Sequence, residues 1–169
     1  MRSALLIVLA AIAACAPPPA SESAPPPVPQ VKLHGVRLRY FRGGELIASG
    51  TARELTYLRA TSEFAATDVA LRLPDREGGL EVRAPASTGV LSARQADCGG
   101  GVVLTTGSGL VGKTPRAHFD GAASSASGSD EVLLEGTGYQ LSSRGFAIDF
   151  ATDRFSFAGG VKSRFGSAR

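Results

Sequence analysis

From residue 31 onward, apolar residues recur mainly at a spacing of two. Val36, Leu38 and Tyr40 alternate with Arg37 and Arg39; Val69, Leu71 and Leu73 alternate with Ala70 and Arg72; Leu80 and Val82 alternate with Glu81 and Arg83. A strand turns successive side chains to opposite faces, so each pattern predicts a strand with one buried face. Phe146, Ile148 and Phe150 lead into the polar pair Thr152-Asp153. Phe155, Phe157, Val161 and Phe165 then follow, with Arg154, Lys162 and Arg164 among them, and the whole predicts a hairpin with one apolar face. The one helix candidate, Ala52 to Ala60, contains Thr56 and Tyr57 and fits better as a strand after Gly50.

Gly and Ser punctuate these runs at Gly43-Gly44, Gly78-Gly79, Gly99-Gly100-Gly101 and Ser124 to Gly128, where turns or bulges are expected; Ser124 to Ser129 reads as a flexible loop. The prediction is an all-β domain of ten or more short antiparallel strands, either a sandwich or an open roll. An internal echo favours the roll. Segments beginning at Gly35, Gly101 and Val132 share one scheme: a strand, a glycine-containing turn, then a strand with small and aromatic residues before a polar stop. Such repeats point to stacked hairpins.

The first 30 residues follow another pattern. Arg2 and an 11-residue apolar stretch from Ala4 to Ala14 form a secretory signal, too short for the roughly 20 residues of a membrane span. Ile12-Ala13-Ala14-Cys15 looks like a bacterial lipobox, in which the Cys15 sulfur takes a diacylglyceryl group before cleavage; the alternative is an ordinary signal cut elsewhere. Seven of the ten prolines lie between Pro17 and Pro29. A polyproline-type spacer over 17–30, at about 3.1 Å per residue, holds a domain up to roughly 40 Å from a membrane. The expected organisation is a signal peptide (1–14), an acylated Cys with its linker (15–30) and one domain (31–169).

A domain of that size buries roughly two-thirds of its unfolded surface and needs neither metal nor disulfides. Once Cys15 is acylated, Cys98 has no partner, and it reads as a small buried residue. Eighteen Lys and Arg against 15 Asp and Glu leave a net charge of +3, and the cations are scattered singly, which argues against a nucleic-acid stripe. Only two His occur and Trp is absent. His34 and His118 lack metal-like spacing to Cys, Asp or Glu, and Asp120, Asp130 and Glu131 look like turn acids, so no metal site, cofactor or catalytic set is expected.

One motif is complete and still fails. Gly107-Ser-Gly-Leu-Val-Gly112-Lys113-Thr114 satisfies both G-x-x-x-x-G-K-[ST] and G-x-G-x-x-G. A phosphate loop needs a helix after it, whose N-terminus helps hold the anion. Here Pro115 and a Ser/Ala/Gly tract follow without a 3.6-residue apolar period, and the predicted structure is a hairpin whose second strand runs from about Leu110 to Phe119.

Two segments resemble a known family. Leu46-Ile-Ala-Ser-Gly-Thr-Ala-Arg-Glu-Leu-Thr-Tyr57, with Phe64 to Val69, is similar to the opening of the LptC family of lipopolysaccharide-export proteins; Gly138 to Asp149, with Arg154 to Lys162, is similar to its closing segment. The Gly107 to Asp120 segment then fits a repeat of the related OstA-like kind. The resemblance covers about 31–169 and implies an open, twisted β jelly roll in the periplasm whose apolar interior shelters the acyl chains of lipopolysaccharide. It also implies partners in the export machinery that add edge to edge. On this reading Phe119, Phe146, Ile148 and Phe150 line the lipid groove. The final strand, Arg154 to Arg164, offers a docking edge with Phe155, Phe157, Val161 and Phe165. Familiar members hold the inner membrane with a transmembrane helix, whereas this chain carries a lipid signal, and Ala16 after the Cys favours the outer membrane by the enterobacterial sorting rule. The competing reading is a structural adaptor lipoprotein whose β-domain is packed solid.

Overall fold

Ten strands run through the computed structural model, which describes residues 29–74, 79–152 and 154–166. They are β1 (Gln30–Arg42), β2 (Glu45–Leu58), β3 (Glu63–Leu73), β4 (Leu80–Val90), β5 (Gln95–Thr106), β6 (Val111–Asp120), β7 (Ser125–Gly136), β8 (Tyr139–Asp149), β9 (Arg154–Phe157) and β10 (Lys162–Phe165). The signal, Cys15 and most of the linker lie outside the described residues. The protein is all-β, and every pairing is antiparallel. From β1 to β8 each strand pairs with the next in sequence, and β9 and β10 both lie on the far edge of β8. The sheet stays open, with β1 paired to β2 alone, and its jelly-roll-like form has a meander order.

Eight of the strands run 10 to 14 residues, longer than the short strands the alternation predicts except for β6, which matches the expected Leu110 to Phe119 strand. The reason is that several residues expected to end strands sit inside them as bulges. The ladder register slips between Arg83 and Ala86, between Gly99 and Val102, between Lys113 and His118, and between Gly128 and Glu131. Pro85 and Pro115 fall in these slips, the places where a missing N–H costs no ladder bond. Gly100 has φ +82°, and a Cβ there would lie 3.2 Å from the Pro85 Cβ. The hydroxyls of Thr114 and Ser143 donate to the carbonyls of Arg116 and Gly145 at 3.2 and 3.0 Å, satisfying groups that the bulges free from the ladder.

The bulges line up across the sheet and crease it. Gly112 and Phe119 of β6 line one cavity although a straight strand would separate them by about 23 Å. β4 to β8 are therefore bent near their middles with their halves in two facing layers, and the ladders, which lose pairing at Gly35, Arg53, Asp68 and Pro85, carry the same division along β3, β2 and β1. Layer I contains 30–34, 54–58, 63–67, 86–90, 95–99, 117–120, 125–128, 146–149 and β9. Layer II contains 36–42, 45–52, 69–73, 80–84, 102–106, 111–114, 132–136, 139–143 and β10. Small and branched side chains fill the space between, among them Ala52, Ala66, Val82, Ala84, Cys98, Val102, Ala117, Ala126, Val132, Leu134 and Ile148.

Successive hairpins are tied end to end. The carbonyls of Ser62, Arg94 and Ser124, which close the turns of layer I, accept from the N–H groups of Leu91, Gly121 and Phe150 at 2.9, 2.8 and 2.9 Å. Asp120 braces the turn that ends at Ser124 by accepting the N–H groups of Ala122 and Ala123, and Asp149 braces the turn after β8 by accepting those of Ala151 and Thr152. This is the stacked-hairpin repeat in physical form.

Two expectations are corrected. Ser125 to Gly128 is strand, not flexible loop: its small residues lie opposite Ile148 and Phe146, and a Cβ on Gly128 would come within 2.5 Å of the Phe146 ring. The single final strand from Arg154 to Arg164 is two short strands. Gly159 and Gly160, at φ +70° and +86°, break it in the left-handed region that side chains resist.

Candidate functional site

The interlayer cavity is the site that the fold builds. Layer II contributes Val82, Val102, Leu104, Thr114, Val132 and Leu134; layer I contributes Ala117, Phe119, Ala126, Phe146 and Ile148; β9 adds Phe155 and Phe157. The unfilled volume is about 40 Å³. That is a small fraction of the roughly 300 Å³ at which ordinary ligand pockets begin.

The sequence-predicted groove residues divide. Phe119, Phe146 and Ile148 meet in this cavity. Phe150 does not line it: the strand ends at Asp149, and Phe150 opens the following turn, where its parity with Phe146 and Ile148 no longer sets its direction. The predicted docking residues divide as well. Phe155 and Phe157 pair across the ladder with Ile148 and Phe146 and face inward with them. Val161 lies between β9 and β10 and is exposed, while Phe165 pairs with Tyr139 and is 79 % exposed. The layer II residues were missed as site residues. Their alternation was legible, but nothing in it reveals that a crease folds them over Phe146 and Ile148.

The inward face of the other end of the sheet is uncovered. On β1, Val31, Leu33, Leu38 and Tyr40 pair with Tyr57, Leu55, Gly50 and Ala48, so they continue the interior face, yet all four are exposed. The interior is thus best covered between β4 and β8 and less covered toward both edges, at β1 and at Phe155 of β9, which is 42 % exposed.

The rejected phosphate loop is a hairpin. Gly109 turns the chain at φ +85°, and the Thr106 N–H donates to the Leu110 carbonyl at 2.9 Å. Lys113 then points outward to Glu135 at 2.8 Å, whereas Thr114 is buried and donates to Arg116. Neighbours on opposite faces of one strand cannot cradle one phosphate.

Outward polar groups pair across strands in ways that spacing conceals. His118 Nδ1 lies 2.8 Å from Asp97 Oδ1, its ladder partner. Asp130, read from sequence as a turn acid, instead accepts from Arg116 through both carboxylate oxygens at 2.8 and 3.0 Å, which holds its pKa below the ordinary range and raises that of Arg116. Cys98 is buried, with Sγ 3.5 Å from Ser87 Oγ, and burial raises its pKa. A thiol kept protonated this way is a packing group.

The sequence matches no protein-family model, and no curated protein is similar to it.

Proposed function

We propose that the space between the two layers is an acyl-chain site and that the protein is an envelope lipoprotein that binds and passes lipopolysaccharide by its lipid A chains. The observation that carries this reading is the uneven cover of one continuous apolar face. Between β4 and β8 the inward side chains are largely buried, whereas Leu33, Leu38 and Tyr40 of β1 are 44, 53 and 48 % exposed. A contiguous exposed apolar surface marks a binding site. Each methylene that leaves water for such an interior contributes about 0.8 kcal/mol. An acyl chain enters from the β1 end, and deeper passage requires Phe155 and Phe157 to yield. They sit on β9, held by four residue pairs to β8 alone, which makes β9 an inexpensive element to displace.

The resemblance to LptC and the lipobox-like Cys15 support the same reading, with the anchor in the envelope and the domain in the periplasm. Docking of export partners by strand addition fits the edges. β1 offers 13 residues of edge, while β9 and β10 offer four each across the Gly159-Gly160 break, so β1 is the better template.

One observation favours the second reading, a solid-cored adaptor. The void beside Ile148 is about 40 Å³, far below the roughly 300 Å³ or more of ordinary ligand pockets. Titration of a fluorescent acyl probe separates the two. Binding that Leu33→Glu with Leu38→Glu weakens at least tenfold, about 1.4 kcal/mol, supports the acyl site; no binding by the folded parent protein supports the adaptor.

A further inference from the structure

The cations that lie singly along the sequence are collected by the strand register. Two outward rows cross layer II from β1 to β10. The first runs from Arg37 through Arg83 and Lys113 to Lys162; the second runs from Arg39 through Arg72, Glu81 and Glu135 to Arg164. All seven cations are exposed. Both carboxylates are already engaged, Glu81 by Arg83 and Glu135 by Lys113. Seven cations against two carboxylates leave five positive charges in these two rows. The two complete outward rows of layer I carry Glu63, Asp97, Asp120 and Asp149 against Lys32 and Arg154, a net of two negative charges. A chain of modest net charge therefore has one strongly basic side.

The shape of that side selects its partner. Nine strands at about 4.8 Å spacing make a surface roughly 40 Å wide. Neither row contains an aromatic ring on which bases could stack, and among the described residues there is no helix or projecting ribbon to enter a nucleic-acid groove. At its centre Val103, Val111 and Leu133 face outward between the cations, half-buried. Apolar residues flanked by Lys and Arg suit the headgroup boundary of an anionic bilayer. We infer that the outer face of layer II docks on an anionic lipid surface, laying the domain flat along the membrane. This inference is independent of the acyl-chain site.

The test uses the full chain carrying Cys15→Ser, so that acylation contributes nothing, and vesicles of phosphatidylcholine alone or with about one-third phosphatidylglycerol. The parent should prefer the anionic vesicles and lose that preference at high salt. Arg37→Glu, Arg39→Glu and Arg72→Glu together should weaken anionic-vesicle binding on the order of a hundredfold, at about 1 kcal/mol per cation. Lys32→Glu, Arg59→Glu and Arg154→Glu make the same change in net charge elsewhere and should weaken it less than about threefold. Circular dichroism confirms folding of each; if the first triple unfolds, Lys162→Glu with Arg164→Glu at the far end of the rows replaces it. Equal loss in both sets, no preference for anionic vesicles, or tighter binding of a DNA duplex through the same arginines would overturn the inference.

Discussion

Ile148 of β8 and Phe155 of β9 are partners across the ladder, and both side chains face the interlayer cavity. The pairing places a short edge strand over one end of an apolar interior. Ile148 itself is 7 % exposed. Its cover comes from the opposite layer as well as from β9, so the crease that brings the layers together is a precondition of the site.

The crease is tested at Gly100. Its φ of +82° lies in the left-handed region, and the Pro85 ring closes the space a side chain would need. Gly100→Ala should destabilise the fold by about 1 to 3 kcal/mol. Urea denaturation checks this, and an unchanged midpoint would mean that the bulge is not rigidly held.

Several carboxylates lend the fold an acid-sensitive component. Arg116 holds the Asp130 pKa down, the Ala123 N–H and Gln95 do so for Asp120, Lys113 for Glu135, and the Thr152 and Ala151 groups for Asp149. A carboxylate whose folded pKa is depressed contributes stability above its unfolded pKa and loses it as pH falls through the folded value. Stability should therefore stay level down to about pH 5 and decline below about pH 4. Asp130→Asn should flatten the decline; the same slope in parent and variant would remove Asp130 from the account.

The anchor is tested at Cys15, which lies outside the described residues. Cys15→Ser should move the protein from the detergent phase to the aqueous phase, with its circular dichroism unchanged, because the proline-rich spacer separates anchor from domain. Undiminished partitioning into detergent would mean that the signal is of another kind.

The fold class was legible in the alternation of apolar residues, and so was the inward parity of Phe146 and Ile148. What sequence concealed has one physical source. A bulge inverts the parity of a strand without ending it, so Gly99-Gly100-Gly101 looks like an interruption when it is a bend within β5. The crease decides which distant residues meet, placing Val82 and Leu134 in the same cavity as Phe146. Register likewise pairs Asp130 with Arg116, and gathers single cations such as Arg37 and Arg72 onto one surface. Each of these relationships depends on neighbours far apart in the chain.

The Gly107 to Thr114 segment should bind no nucleotide, because Lys113 and Thr114 face opposite sides of β6. Calorimetric titration with Mg-ATP should give no heat of binding. Micromolar affinity abolished by Lys113→Ala would show that the hairpin rearranges around phosphate.

On the acyl-chain reading the interior face, rather than the outer face, meets lipid. The most direct measurement places a photo-crosslinking residue at Leu33 or Ile148, which face inward, and at His34 or Ala147, their outward neighbours in layer I, away from the basic side. Lipopolysaccharide should be captured from Leu33 and Ile148 and not from His34 or Ala147. Equal capture within each pair, or none at any position in the folded protein, would contradict the acyl-chain site and leave a solid-cored adaptor.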